Sequence, residues 1–369
     1  MKRGTFLKLR QLGLIIIIWM FIGFIIAIYD HLVLHTQVSL GTTANYSFFI
    51  SVLRNIGAGL IGALLGGSIL VFYINEKFRD KPYGYTILIV IICFVLIVGI
   101  ITLVMGLTIV PYQLKRPLSD PATRQAVVSF MTDSYPLKNG LVWAFIVALT
   151  QFLLQVSSKF GHETFLHILT GKYNTPKAEK RIFMFLDLNA STTIAERLGN
   201  ERYHSLLKDF FADITNPILE NKGNIYQYVG DEVVVAWSYK DGLEKSHCLR
   251  CFFDIKMTIE DKKDRYEQLY GLVPTFKAGI HSGNVIAGEI GVVKRDITYS
   301  GDVLNTTSRI LGKCGEFKEE VIISADLLSL LNSAKEYSSK LLGSIRLRGK
   351  EREVAILALL PNSIDSAGS

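Results

Sequence analysis

The sequence predicts an α-helical transmembrane region followed by an α+β domain with a split βαβ order, and three observations carry that expectation. Residues 12–29, 56–74, 83–114 and 140–158 contain no Asp, Glu, Lys or Arg, and a helix needs roughly 20 apolar residues to cross the hydrocarbon core. From Arg181 onward, short apolar runs of strand character alternate with helical patterns bounded by turn residues, which is the order of an α+β domain. Charge divides with the two halves: residues 1–180 carry 16 Lys and Arg against 7 Asp and Glu, whereas residues 181–369 carry 24 against 26. The basic excess therefore belongs to the membrane half, which argues against a nucleic-acid-binding protein. The expected organisation is a four-span transmembrane region over 1–158, a juxtamembrane coupling segment over 159–180, the α+β domain over 181–360 and a disordered tail over 361–369.

Leu12–Tyr29 exceeds the apolar stretch of a cleaved leader and is followed by Asp30-His31, not by a small-x-small site, so it reads as a span. Lys2, Arg3, Lys8 and Arg10 precede it; Lys77, Arg79 and Lys81 follow the second span, and the first loop, Asp30–Tyr46, has no Lys or Arg. The positive-inside rule then places both termini, and the α+β domain, on the cytoplasmic side of the plasma (inner) membrane. The connection Pro111–Asn139 carries Lys115, Arg116, Arg124 and Lys138 against that rule, and is expected to be an outer spacer. Arg54 sits where it can snorkel to the interface. Gly57, Gly59, Gly62, Gly66 and Gly67 favour close helix packing.

Beyond the fourth span, Phe165, Leu166, Ile168 and Leu169 form a short amphipathic stretch broken by Gly171 and Pro176, suited to couple the two parts of the chain. His162 and His167 do not share a helix face and form no metal site. The CxxC of Cys248 and Cys251 lacks a second pair, so core packing is expected, not zinc.

In the α+β domain the first strand is Ile182–Leu188, with Ser191-Thr192-Thr193 opening helices that reach about Asn221. A hairpin of Ile225–Val229 and Glu232–Trp237 follows, then one long helix from about Leu243 to Lys263. Strands over Thr275–His281 and Asn284–Glu289, a helix from Val303, a strand at Val321–Ser324, a short helix near Ala325–Asn332 and a hairpin over Arg346–Leu360 complete the reading.

Two aspartates lie where strands give way to turns: Asp187 ends Ile182–Leu188, and Asp231 occupies the Gly230-Asp231 turn of the hairpin. Carboxylates at adjacent strand ends suit hard divalent cations that also bind phosphates; a helix N-cap and a turn former are the structural alternative. Asn305 and Arg309, four apart at the start of a helix, share one face. An amide and a guanidinium so placed suit a ribose oxygen and a phosphoryl group gaining charge, although a solvated face has the same pattern.

Four blocks in this order, FMFLDLNASTTIAERLG, YQYVGDEVVVAW, KAGIHSGNVIAGEIG and YSGDVLNTTSRI, resemble the catalytic domain of the class III adenylyl/guanylyl cyclases, with its ferredoxin-like fold, over about residues 178–360. The resemblance implies that Asp187 and Asp231 hold two Mg²⁺ or Mn²⁺ ions per site, joined by the Leu188 carbonyl. It implies that the backbone N–H groups of Ala190, Ser191, Thr192 and Thr193 receive phosphates, and that Lys277, Arg348 and Lys350 approach them. Asn305 would orient the ribose and Arg309 would stabilise charge at the α-phosphate. Metal ligands come from one protomter of the family dimer and the Asn and Arg from the other, so a homodimer with two shared sites is expected.

The implied reaction is attack of the ATP ribose 3′-oxygen on the α-phosphorus, giving 3′,5′-cyclic AMP and pyrophosphate. One departure concerns the base: the Lys that adenylyl members carry three residues before the Gly-Asp turn is Gln227 here, paired in this reading with Asp302. Such a pair suits adenine, or guanine through N1–H and O6, so a guanylyl cyclase of the same fold is the alternative. A diguanylate cyclase would not explain HSGNVIAG or Asn305 and Arg309, and a catalytically inactive sensor would not need every metal and transition-state position filled.

Overall fold

A computed structural model describes residues 3–36, 47–78, 81–132, 134–331, 337–346 and 353–361. The chain forms two compact units, Thr5–Phe165 and a second made of Leu166–Ser369 with Met1–Gly4.

In the first unit, four helices are long and apolar enough to cross a membrane: Gly4–Val33, Phe48–Lys77, Tyr83–Leu114 and Lys138–Phe160. They contain the four uncharged segments. A Cβ added at Gly59 would lie 2.6 Å from the Trp19 carbonyl oxygen, so the first two helices approach at backbone distance, as small residues in membrane helices permit. Gly57, by contrast, faces open space. Trp19 Nε1 donates to Thr150 Oγ1 at 3.0 Å, and Lys138 pairs with Asp30 at 2.5 Å, which fastens the last helix to the first. The expected outer spacer is itself partly helical, over Pro121–Thr132.

The second unit is an eight-stranded sheet. Its strands are β1 (Lys177–Leu188), β2 (Asn224–Val229), β3 (Glu232–Ser238), β4 (Phe276–Ile290), β5 (Asp296–Ser300), β6 (Val321–Ser324), β7 (Tyr337–Arg346) and β8 (Glu353–Pro361). The order is β2-β3-β1-β4-β6-β8-β7, with β5 paired to β4 alone. β1 and β3 read as unbroken apolar runs because the sheet is covered on both faces. On one face Ile182, Met184, Leu186, Val233, Val235 and Trp237 meet the helices Asn200–Glu220 and His247–Glu260. On the other, Phe183, Phe185, Val234 and Ala236 meet Val303 and Leu311 of the helix Asp302–Phe317. Gly279 lets that helix settle on β4: a Cβ there would stand 2.4 Å from the Leu311 nitrogen.

Cys248 and Cys251 are fully buried in the first core, and burial pushes the Cys248 thiol up to about 12, as packing cysteines should behave. Three expectations are corrected. The helix expected from about Leu243 to Lys263 starts later: Glu244–Ser246 form a 3₁₀ turn in which Lys245 and Ser246 take positive φ of 51° and 52°, the helix runs over His247–Glu260, and Tyr239–Leu243 and Lys263–Tyr270 are separate short helices. Ser238 and His247 bond the Asp241 backbone nitrogen and oxygen at 3.1 and 2.8 Å, and such local bonds compete with helix continuation. The two strands expected either side of Ser282-Gly283 are one, β4, because β1 pairs with it continuously from Lys177↔Ala287 to Leu188↔Phe276. β5 is a further strand, paired with β4 from Ile286↔Ser300 to Ile290↔Asp296. The terminal hairpin begins at Tyr337, earlier than expected; its turn, with Arg348 and Lys350, lies outside the described residues, as does the tail beyond Pro361.

Candidate active site

Sheet register brings the acids together. Asp187 stands opposite Glu232 of β3 and Lys277 of β4, and residues directly opposite in antiparallel strands share a face. That face is the one covered by the helix Asp302–Phe317. Asp231 occupies the turn just before Glu232, where Gly230 supplies a positive φ of 63°. Lys277 Nζ lies 3.2 Å from Asp187 Oδ2. Burial raises the Asp187 pKa and the neighbouring Asp231 carboxylate raises it further, against the opposing Lys277 hydrogen bond. Burial, with the charges of Asp187 and Asp231, pushes Glu232 up to about 6. Tyr203 is raised by burial and by Asp231 while its hydroxyl bonds Ser191.

This crowding is the signature of a place that a cation would relieve. Two carboxylates with oxygen donors suit Mg²⁺ or Mn²⁺, which take one or two protein carboxylates and leave positions for phosphate oxygens. Among the described residues no group of three or more His, Cys, Asp or Glu is set to hold a metal. Leu188 closes β1 opposite Phe276. Ala190 then adopts the left-handed region (φ 53°, ψ 32°) and aims the chain into the helix Ser191–Leu198, which has no side-chain cap. The first amides of that helix, at Ser191, Thr192 and Thr193, are thus open to an anion.

Asn305 and Arg309 are on the helix that covers this face. The helix that carries them buries Val303, Thr306, Thr307, Ile310, Leu311 and Cys314 against the sheet, and Asn305 is on the exposed flank. Among the described residues no hydrogen bond or ion pair joins Asn305 or Arg309 to Asp187 or Asp231. Gln227 is exposed on β2 opposite Val234, while Asp302 acts electrostatically on His281 of β4. β2 and β5 approach one another beside these two positions: Tyr226, next to Gln227, and Tyr299, three residues before Asp302, have ring centres 4.9 Å apart.

Glu232 and Tyr203 were not singled out from the sequence. The Gly-Asp-Glu triplet held the signal for Glu232, but only its register opposite Asp187 gives it weight. His281 is a third addition: its Nδ1 lies 2.8 Å from Ser324 Oγ, and burial, outweighing the pull of Asp326 and Asp302, lowers it to about 4. A base with a depressed folded pKa stabilises the fold above its ordinary value of 6.5, and that contribution is lost as pH falls towards 4. Thermal denaturation of the detergent-solubilised chain should therefore show a midpoint that falls through this window, and H281Q should flatten the fall. Equal slopes in the two proteins would remove His281 from the account.

The family described as the adenylate and guanylate cyclase catalytic domain matches residues 174–358. The chain is 40% identical over 218 residues to adenylate cyclase 2 of Rhizobium meliloti (strain 1021), covering 59% of this chain and 60% of that one. It is 26% identical over 180 residues to an adenylate cyclase of Anabaena cylindrica, covering 47% of this chain and 35% of the relative. The chain thus spans less than two thirds of the length of these relatives. A solved bacterial light-regulated adenylyl cyclase superposes with a TM-score of 0.52 at 18% sequence identity, over 62% of this chain and 66% of that one, which speaks for the shared fold alone.

Proposed function

The chain belongs to the adenylate and guanylate cyclase catalytic-domain family, and from that premise we propose that it converts ATP to 3′,5′-cyclic AMP and pyrophosphate as a membrane-bound homodimer. The observation that carries this reading is the meeting of the Asp187 and Asp231 side chains at the β1 end beside Lys277, while Asn305 and Arg309 are carried by the helix Asp302–Phe317. Neither half is complete alone. Two copies related by a two-fold axis would supply each site with acids from one protomer and the amide and guanidinium from the other.

Asp187, Asp231 and the Leu188 carbonyl would hold Mg²⁺ or Mn²⁺. When bound, such ions lower the pKa of the ribose 3′-hydroxyl and neutralise the triphosphate. The amides of Ala190 to Thr193 and the Lys277 ammonium receive the β- and γ-phosphates, with Arg348 and Lys350 as further basic contacts. Asn305 orients the ribose so that its 3′-oxygen lies in line with the α-phosphorus and the pyrophosphate leaving group. Arg309 matches the charge that grows on the α-phosphoryl oxygens. The proton of the 3′-hydroxyl passes to water or to the substrate, because no side chain of the site is set as its base. The positive-inside pattern supports a cytoplasmic site.

ATP is favoured by the likeness to adenylate cyclase 2. GTP is the second reading, because the Gln227 amide offers both a donor and an acceptor and suits either purine. Turnover of each of four nucleoside triphosphates by the purified full chain, with Mg²⁺ or Mn²⁺, tests both. Cyclic AMP as the main product is expected, and Q227K should raise the ATP:GTP ratio in kcat/KM. No cyclic nucleotide from any substrate would sink the cyclase reading, and a ratio indifferent to Q227K would remove Gln227 from base selection.

A further inference from the structure

Arg181 of β1 is a buried cation that the proposed reaction does not use; it is 7% exposed. Its Nε and Nη2 donate to Glu179 Oε2 at 2.8 and 2.6 Å, and Nη2 also donates to the Tyr173 hydroxyl at 2.9 Å. That hydroxyl donates in turn to Glu179 Oε1 at 3.1 Å. The guanidinium carbon lies 5.0 Å from the ring centre of Tyr299 in β5. Tyr299 packs on Tyr226 of β2 with ring centres 4.9 Å apart, and the Tyr226 hydroxyl accepts the Tyr299 backbone N–H at 3.3 Å.

A buried ion pair is a poor device for stability alone, since an apolar residue of similar volume often serves as well. What a guanidinium adds is direction: a planar fork held by two partners, with a flat face for an aromatic ring. Here that face bears on Tyr299, which also bonds β2. Among the described residues β5 pairs with β4 alone, and the Tyr226 hydroxyl takes the backbone N–H of its other edge. Tyr226 itself sits at the irregularity in β2 between Ile225 and Gln227. The two ends of this contact matter. β2 runs directly into Gly230-Asp231, and β5 runs through Gly301 directly into the helix that bears Asn305 and Arg309.

We propose that Arg181 is a positioning residue for cyclisation, setting through Tyr299 and Tyr226 the spacing between the Asp231 turn and the Asn305–Arg309 helix. This rests on the cyclase reading. In a two-fold dimer those elements of one chain belong to different sites, so each Arg181 aligns one half of both.

The test compares the purified full chain with R181M, which keeps an apolar stem without the fork, with R181K, and with Y226F, which removes only the hydroxyl. An ångström of misplacement at a reacting centre lowers the rate by about 100-fold. We expect R181M to lower kcat by at least about 10-fold with the KM for ATP within about 2-fold. Y226F should reduce kcat in the same pattern but less, with an unchanged denaturation midpoint, and R181K should fall between R181M and wild type. Unchanged kcat in R181M and Y226F overturns the inference while leaving the cyclase reading intact. A loss that merely tracks the folded fraction also overturns it. If R181M does not fold, Y226F alone decides, and a normal kcat there overturns the proposal. A wild-type chain without cyclase activity overturns the reading and the inference together.

Discussion

D187A and D231A are each expected to lower cyclic nucleotide formation by at least about 100-fold, the scale on which losing transition-state charge stabilisation is felt. The physical reason is the register that sets Asp187 against Glu232 and Lys277 beside the Asp231 turn. Neither change should unfold the domain. Both side chains are partly exposed at a strand end, and removing one carboxylate relieves the repulsion that raises Asp187 and Glu232. The denaturation midpoint of the metal-free protein should hold or rise while activity disappears. Residual activity above a few per cent of wild type in either variant, by direct assay of cyclic AMP, would defeat the assignment of these carboxylates to the metals. D187N tests the charge separately: it keeps the shape and one acceptor oxygen, and should be nearly as inactive.

Mixing two inactive chains should restore function. R309A loses the guanidinium but keeps both acids, and D187A loses an acid but keeps its Arg309. In a heterodimer one composite site then has every group and the other lacks two. With random pairing half of the dimers are mixed and each has one working site of two, so roughly a quarter of wild-type activity should return. Chains shown to heterodimerise yet remaining inactive would argue that the acids and Arg309 serve the same protomer's site.

Much of this was legible in order along the chain. The four uncharged segments lie within the four long apolar helices, because the bilayer demands length and apolarity and little else. Ile182–Leu188 and Val233–Trp237 read as strands because both of their faces are buried. Asp187 and Asp231 stand out because a carboxylate closing an apolar strand, and another in a Gly-Asp turn, break a local pattern. Less legible was the start of the helix expected from about Leu243, where a polar bond set at Ser238, Asp241 and His247 makes a turn and the helix begins only at His247. β5 was missed because Ile297-Thr298-Tyr299, although strand formers, make a run too short to stand out without the pairing to β4.

The sequence by itself determined the membrane spans, the family, and the residue types at each candidate position, since these depend on local pattern and spacing. Only the tertiary structure decided which of them meet. Register across three strands puts Lys277 and Glu232 on either side of Asp187, and no one-dimensional spacing encodes that. The contact of Tyr226 with Tyr299 likewise brings β2 to β5, two strands that no spacing in the sequence relates. The fold also encloses Arg181, an unremarked strand residue, between Glu179, Tyr173 and Tyr299. Contacts between residues distant in sequence arise from how sheets pair and pack, and a side chain's chemistry is set by those neighbours.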